Sequence, residues 1–253
     1  MARFHHDGIE LAYIDEGEGD PVLLIHGFAS SIRVNWVAPG WVKTLRDAGY
    51  RVIAIDNRGH GQSDKSYEPE DYRPSRMAAD AAALLDHLGI GRAHLMGYSM
   101  GARICAFTAL EHPHRVATLV LGGLGIGMVE GVGDWDPIAR ALMADDPATI
   151  PDARGRMFRA FADQTKSDRK ALAACIATSR DLVSKADAAR IAQPTLVAVG
   201  TTDDIAGSPE RLATLMPNAE SFAILGRDHM LSVGDRTFKK RVLEFLAAHP
   251  LHE

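Results

Sequence analysis

Residues 93–106 read Ala93-His94-Leu95-Met96-Gly97-Tyr98-Ser99-Met100-Gly101-Ala102-Arg103-Ile104-Cys105-Ala106, and this stretch decides the fold. Residues 93–97 form a short apolar run suited to a strand buried on both faces, and residues 100–111 read as a helix closed by Pro113. Between them Gly97-Tyr98-Ser99-Met100-Gly101 is the one match in the chain to the G-x-S-x-G pattern. A serine on so tight a strand-to-helix turn must take strained backbone angles. Its flanking positions need glycine, because a side chain there would collide with the neighbouring strand or helix. The helix N-terminus offers free N–H groups and a positive dipole end to a developing oxyanion.

Outward from this turn the same rhythm repeats. Residues 8–16 alternate apolar and polar as one strand of an antiparallel pair. Residues 22–25, 50–56, 116–121, 195–200 and 221–225 read as further strands, and residues 41–48, 74–88, 208–216 and 236–248 as helices. Such a β-then-α series predicts an α/β fold, a mostly parallel sheet covered by helices on both faces. The rhythm breaks between residues 125 and 190, where helical patterns occur without a convincing strand. This stretch is expected to be a helical cap, with residues 1–124 and 191–253 forming the core.

The chain has 253 residues, 46% of them hydrophobic, enough for one large core with a modest insertion. A net charge of -5 and no basic stripe interleaved with aromatics exclude a nucleic-acid partner. The two cysteines, Cys105 and Cys175, lie in Ala-rich helical patterns and read as reduced, buried thiols rather than a disulfide or zinc site. No stretch approaches membrane-spanning length and the N-terminus has no apolar leader, so a cytoplasmic protein without a membrane partner is expected.

A serine hydroxyl needs a base to take its proton, and eleven histidines compete for that role. Catalytic groups in such sheets gather at the carboxyl ends of strands. His229, in Gly226-Arg227-Asp228-His229 after the strand at 221–225, meets that requirement. His5, His6, His249 and His252 lie near the chain ends and His87, His112 and His114 at helix ends, so all read as surface residues. His94 begins the serine's own strand and points into the core. The group that orients the imidazole is sought just beyond the strand at 195–200, where Asp203 and Asp204 both qualify, with Asp228 a distant third. The oxyanion calls for the N–H of Met100 and a second donor. His26-Gly27-Phe28 follows the strand at 22–25, so the backbone N–H of Phe28 is the candidate, with His26 pinning the loop rather than acting as base.

In the order serine, acid, histidine, these pieces resemble the α/β-hydrolase superfamily over nearly the whole chain. His26-Gly27-Phe28 is similar to its HG-x oxyanion motif, and Asp56-Asn57-Arg58-Gly59-His60-Gly61-Gln62-Ser63-Asp64 to the D-x-R-G-x-G-x-S loop of its capped members. Gly200-Thr201-Thr202-Asp203 resembles the segment that carries the acid, which favours Asp203, although Asp204-Ile205-Ala206-Gly207 replaces the more usual proline-containing turn. Asp56 and Arg58 are read as loop architecture. Gly122-Gly123-Leu124-Gly125-Ile126-Gly127 does not fit a dinucleotide loop and is read as a flexible exit from the sheet into the cap.

Relatives resembling epoxide hydrolases and dehalogenases carry an aspartate where this chain has Ser99, so the resemblance implies a carboxylesterase-like serine hydrolase. Its expected catalytic residues are Ser99, Asp203 and His229, its oxyanion donors Phe28 and Met100, and it requires no metal or cofactor. The pocket is expected between sheet edge and cap, lined by Trp36, Tyr98 and Leu124, with Met128, Met157, Phe158 and Phe161 above. An apolar pocket suggests a small ester as the partner. Carbon–carbon bond hydrolysis, lactone opening or cofactor-free perhydrolysis at the same triad are the rival reactions. A ligand-sensing protein on the same fold is the rival of another class.

Overall fold

The computed structural model describes residues 1–251. Its eight strands are β1 (Ala2–His6), β2 (Ile9–Glu16), β3 (Pro21–Ile25), β4 (Arg51–Ile55), β5 (Ala93–Tyr98), β6 (Val116–Gly122), β7 (Thr195–Gly200) and β8 (Ala219–Ile224). They form one sheet in the order β1-β2-β4-β3-β5-β6-β7-β8. β2 runs antiparallel to both of its neighbours, and all other pairings are parallel.

Side chains alternate across the central strands and thereby build two cores. Val22 and Leu24 of β3 pack on one side with Val52 and Ala54 of β4. Leu23 and Ile25 pack on the other with Ile53 and Ile55. The first face is covered by α1 (Trp41–Asp47) and α10 (Arg236–Ala247), the second by α2 (Pro74–His87), α3 (Met100–Glu111) and α9 (Pro209–Ala213). Both faces are closed, which explains why these strands read as unbroken apolar runs; each buried Leu or Ile contributes about 1.5–3 kcal/mol relative to exposure.

Between β6 and β7 the chain makes five α-helices, one short 3-10 turn (Pro147–Thr149) and no strand: α4 (Gly127–Glu130), α5 (Asp136–Met143), α6 (Ala153–Gln164), α7 (Arg169–Thr178) and α8 (Lys185–Ala188). Asp152 and Asp168 start α6 and α7 by accepting hydrogen bonds from Gly155 N–H and from the Lys170 and Ala171 N–H groups. The glycine run at 122–127 is not a loose exit into this insertion. The Gly125 and Gly127 N–H groups donate to Ala206 O (3.0 and 3.1 Å) and Ile126 N–H to Ser208 O (2.9 Å), zipping it to the loop after β7.

The D-x-R-G-x-G-x-S loop follows β4 and is architectural. Asp56 accepts from Ile32 and Gln62 N–H, and Ser63 donates to Asp56 O while accepting from Ala12 N–H. Arg58, fully buried, grips Asp80 of α2 through two 2.7 Å hydrogen bonds. Cys105 and Cys175 are unpaired and buried. Among the described residues no helix is long and apolar enough to cross a membrane.

Candidate active site

Four strand ends converge at the carboxyl edge of the sheet. Ser99 follows β5 directly and begins α3 with φ 54° and ψ -113°, a strained conformation for a residue with a side chain. The flanking glycines admit it. A Cβ at Gly97 would stand 2.1 Å from Gly101 O, and one at Gly101 would stand 1.9 Å from Ile25 O of the neighbouring strand. Neither contact is possible for any other residue.

His229, in the loop after β8, places Nε2 3.1 Å from Ser99 Oγ. Its Nδ1 lies 2.7 Å from Asp203 Oδ2, in the loop after β7. Asp203 is further fixed by the Ile205 and Ala206 N–H groups, which donate to Oδ1 at 2.9 and 3.0 Å. Burial alone would raise this carboxyl, but the hydrogen bonds from His229, Ala206 and Ile205 outweigh it and hold its pKa below the ordinary value. The turn that replaces the proline-containing one therefore supplies donors to the acid. Asp204 is exposed and takes no part in this chain of hydrogen bonds. Asp228 is also exposed and spends its carboxylate on the Met230 and Leu231 N–H groups.

Two main-chain donors accompany the serine. Among the described residues, neither the Phe28 nor the Met100 N–H has a hydrogen-bond partner. The loop after β3 that carries Phe28 is tightly held. His26 Nδ1–H donates to Gly27 O (2.7 Å) and its Nε2 accepts from Asn57 N–H (3.0 Å), so both ring nitrogens are spent on backbone. Burial pushes His26 down to about 4, which keeps it neutral. Asn35 Oδ1 accepts from Gly27 N–H (2.8 Å), a contact no sequence pattern announced.

Phe28, Tyr98, Phe158 and Phe161 line a cavity of about 360 Å³ in front of Ser99 and His229. Trp135 joins them, with its ring centroid 6.4 Å from Phe28 and 5.3 Å from Phe158, so the helical insertion roofs the site with aromatic rings. Leu124 and Met100 line a smaller chamber that also touches Ser99.

Trp36 corrects the expected lining. It is fully buried on the opposite core beside Trp41, with ring centroids 6.4 Å apart, because the irregular turn at Arg33–Val37 folds it beneath the sheet edge. Met128 is likewise sealed in the core, and Met157 faces outward at 41% exposure. Neither borders the cavity. Pro39, Met230 and Leu231 border it without having been singled out in the sequence. His94 is buried against Thr118 Oγ1 (2.8 Å), and His6 is only half-buried, with Nδ1 2.8 Å from Asp80. His252 lies outside the described residues.

The sheet, the strained serine turn and the hydrogen-bonded chain behind it define a protein of the α/β-hydrolase class. A model of the alpha/beta hydrolase fold matches residues 20–156, and the chain belongs to that family. It is 32% identical over 246 residues to a putative non-heme bromoperoxidase, BpoC, of Mycobacterium tuberculosis, covering 88% of this chain and 91% of that protein. Over 130 residues it is 43% identical to a 2-hydroxy-6-oxononadienedioate/2-hydroxy-6-oxononatrienedioate hydrolase of Burkholderia vietnamiensis, covering 48% of this chain and 43% of the other. The crystal structure of a hydrolase from Pseudomonas aeruginosa PA01 superposes with a TM-score of 0.81 at 28% identity, over 96% of this chain and 97% of that one.

Proposed function

We propose that the protein hydrolyses an ester, or a related acyl bond, of a small and largely apolar substrate through an acyl-enzyme intermediate on Ser99. The observation that carries this reading is the unbroken chain Asp203–His229–Ser99, at 2.7 and 3.1 Å, beside the Phe28 and Met100 N–H groups, which have no partner among the described residues.

In this reaction Ser99 Oγ attacks the carbonyl carbon while His229 Nε2 takes the hydroxyl proton. Asp203 remains ionised and holds the imidazolium in place. The carbonyl oxygen, now negative, accepts from the Phe28 and Met100 N–H groups. Collapse of the tetrahedral species breaks the acyl–oxygen bond, and His229 gives its proton to the departing alcohol. A water molecule then passes a proton to His229 and attacks the acyl-enzyme, releasing the acid and restoring Ser99.

Labelling with a fluorophosphonate probe, followed by an aryl-ester chain-length series, tests the assignment. Wild-type protein is expected to be labelled at Ser99 and to turn over aryl esters, and Ser99→Ala to lose both. A folded wild-type sample that resists the probe and cleaves no ester overturns it. Carbon–carbon bond hydrolysis by the same residues is a second reading, supported by the half-chain likeness to the dienedioate hydrolase. Vinylogous diketones beside aryl esters and lactones in one substrate panel separate the two.

A further inference from the structure

The space around Ser99 is divided in two. The larger chamber, about 360 Å³, is bordered by His229 and its neighbours Met230 and Leu231. The smaller, about 30 Å³, shares Phe28, Ser99 and Trp135 with it but is closed by Met100, Arg103 and Arg180 instead. His229 does not border the smaller chamber, which fixes how a substrate lies. The leaving alcohol takes its proton from His229, so it occupies the larger chamber and the acyl group points into the smaller one.

The smaller chamber is also largely apolar, with Leu124, Val132, Ile176 and Ile205 in its wall, but it differs in having two guanidinium groups on its border. Arg103 is buried one turn into α3, and its guanidinium donates only to neutral carbonyls, those of Met128 (3.0 Å), Asp181 (2.9 Å) and Gly127 (3.4 Å). Arg180 donates from Nε to Ile176 O (3.1 Å) and lies 5.6 Å from the centre of the Trp135 ring. Among the described residues neither guanidinium has a carboxylate within 4.0 Å; the Asp181 carboxylate is taken by Arg73 at 3.0 Å. Burial lowers the pKa of both arginines, Arg103 to about 10 with a further push from the Arg180 charge, while the more distant carboxylates of Asp181 on Arg103 and of Asp136 and Asp134 on Arg180 act against it. Arg103 still stays charged at neutral pH.

Trp135 and Ser179 also border it. Among the described residues Trp135 Nε1 is buried with no hydrogen-bond partner, and the buried Ser179 hydroxyl has only the Cys175 thiol beside it, which is itself directed at Met100 Sδ (3.8 Å). An indole N–H and a guanidinium can only donate, and a serine hydroxyl can, so the set calls for an acceptor. A buried donor left without an acceptor is unfavourable, and a ligand with two acceptor oxygens and a negative charge would satisfy the set. Space agrees: at roughly 10–15 Å³ per water-sized occupant, the chamber of about 30 Å³ takes two to three heavy atoms, the size of a carboxylate head group, and no ring, so the connecting methylenes lie beside Ser99.

We propose that the smaller chamber binds a carboxylate carried on a short acyl group, so that the preferred substrates are half-esters of short dicarboxylic acids whose apolar alcohol fills the larger chamber. This rests on the serine-hydrolase reading above and adds the chemistry of the acyl side.

The test compares the monobenzyl esters of malonic, succinic and glutaric acid with their neutral, isosteric monoamides. In wild-type protein at least one half-ester is expected to show kcat/KM tenfold or more above its own amide. In Arg180→Gln, checked for folding by its thermal melt, that ratio is expected to fall below three. Arg180 is the variant of choice because truncating Arg103 would strand three buried carbonyls. Turnover of all the neutral amides with no half-ester preferred overturns the carboxylate site while leaving the serine-hydrolase reading intact, and so does a preference that survives Arg180→Gln. If no ester is cleaved, calorimetric titration of Ser99→Ala with the same pairs decides: tenfold tighter binding of a half-ester supports the site although the hydrolase reading fails, and equal affinities overturn both.

Discussion

The phenol of Tyr98 donates a 2.6 Å hydrogen bond to the main-chain carbonyl of His229. The residue before the serine thus holds the backbone of the histidine, coupling the end of β5 to the loop after β8. The ring fits only because Gly123, at φ +62°, and Gly122 carry no side chain; a Cβ at either would come within 3 Å of it (2.6 and 2.9 Å). Tyr98 is therefore a positioning residue as well as part of the cavity wall. Tyr98→Phe keeps the ring and loses the tether. A hydrogen bond worth about 0.5–1.5 kcal/mol predicts a loss in kcat of roughly 2- to 10-fold with KM little changed. Steady-state kinetics on an aryl ester, with fluorophosphonate labelling rates falling in parallel, check it. A change confined to KM would assign Tyr98 to the wall alone.

The second prediction separates the two adjacent acids. Asp203→Asn leaves the shape of the loop but offers His229 Nδ1–H a neutral group in place of a carboxylate, and a flipped amide would favour the wrong tautomer. A loss of about 10³- to 10⁴-fold in kcat is expected. Asp204 is exposed and outside the hydrogen-bonded chain, so Asp204→Asn is expected to stay within about twofold, as surface changes do. Side-by-side esterase assays check both, and equal losses would reject the geometric assignment.

The serine turn was legible because its physics is local: a positive φ, two close approaches and a helix start are written in five consecutive residues. His229 was legible by topology, as the one histidine placed between a strand and a helix near the C-terminus. Asp203 and Asp204 could not be separated from the residues alone, since only the folded loop shows which carboxylate receives the Ile205 and Ala206 N–H groups. The cavity wall was read least well. Trp36 and Met128 are apolar residues near the right loops, yet lining and core positions carry the same composition, and long-range packing decides between them. Arg103 and Arg180 lie far apart in sequence and meet only through α3 and the end of α7, so no spacing announced them. Strand β1 escaped notice because Phe4 alone of its five residues is buried, which leaves no period-2 pattern to detect.

The loop after β4 supports a stability prediction. Arg58 and Asp80 are both buried and paired bidentately at 2.7 Å, and Asp80 also meets His6 Nδ1 at 2.8 Å. Removing one partner strands a buried charge, which costs more than the pair itself contributes. Asp80→Asn is expected to destabilise the protein by about 3–5 kcal/mol in urea unfolding. The Arg58→Met, Asp80→Leu double variant is expected to lose less than the single variant, since neither charge remains to be desolvated.

The last prediction concerns acid. His26, His60 and His94 are all sealed from solvent, and burial lowers them to about 4, about 3 and about 4. His60 is pushed further by His26, whose ring lies 5.2 Å away. In the unfolded chain each returns to about 6.5, so below that pH the unfolded state binds protons that the folded state refuses. Stability is therefore full above pH 6.5 and declines as pH falls towards the folded values. By pH 5 each histidine is expected to cost about 2 kcal/mol relative to pH 8. The expected signature is a urea midpoint that drops steadily between pH 7 and pH 5, with up to three protons taken up on unfolding. A flat midpoint over that range would mean that these imidazoles accept protons inside the fold, and that the His26 contacts do not hold the Phe28 loop in its neutral form.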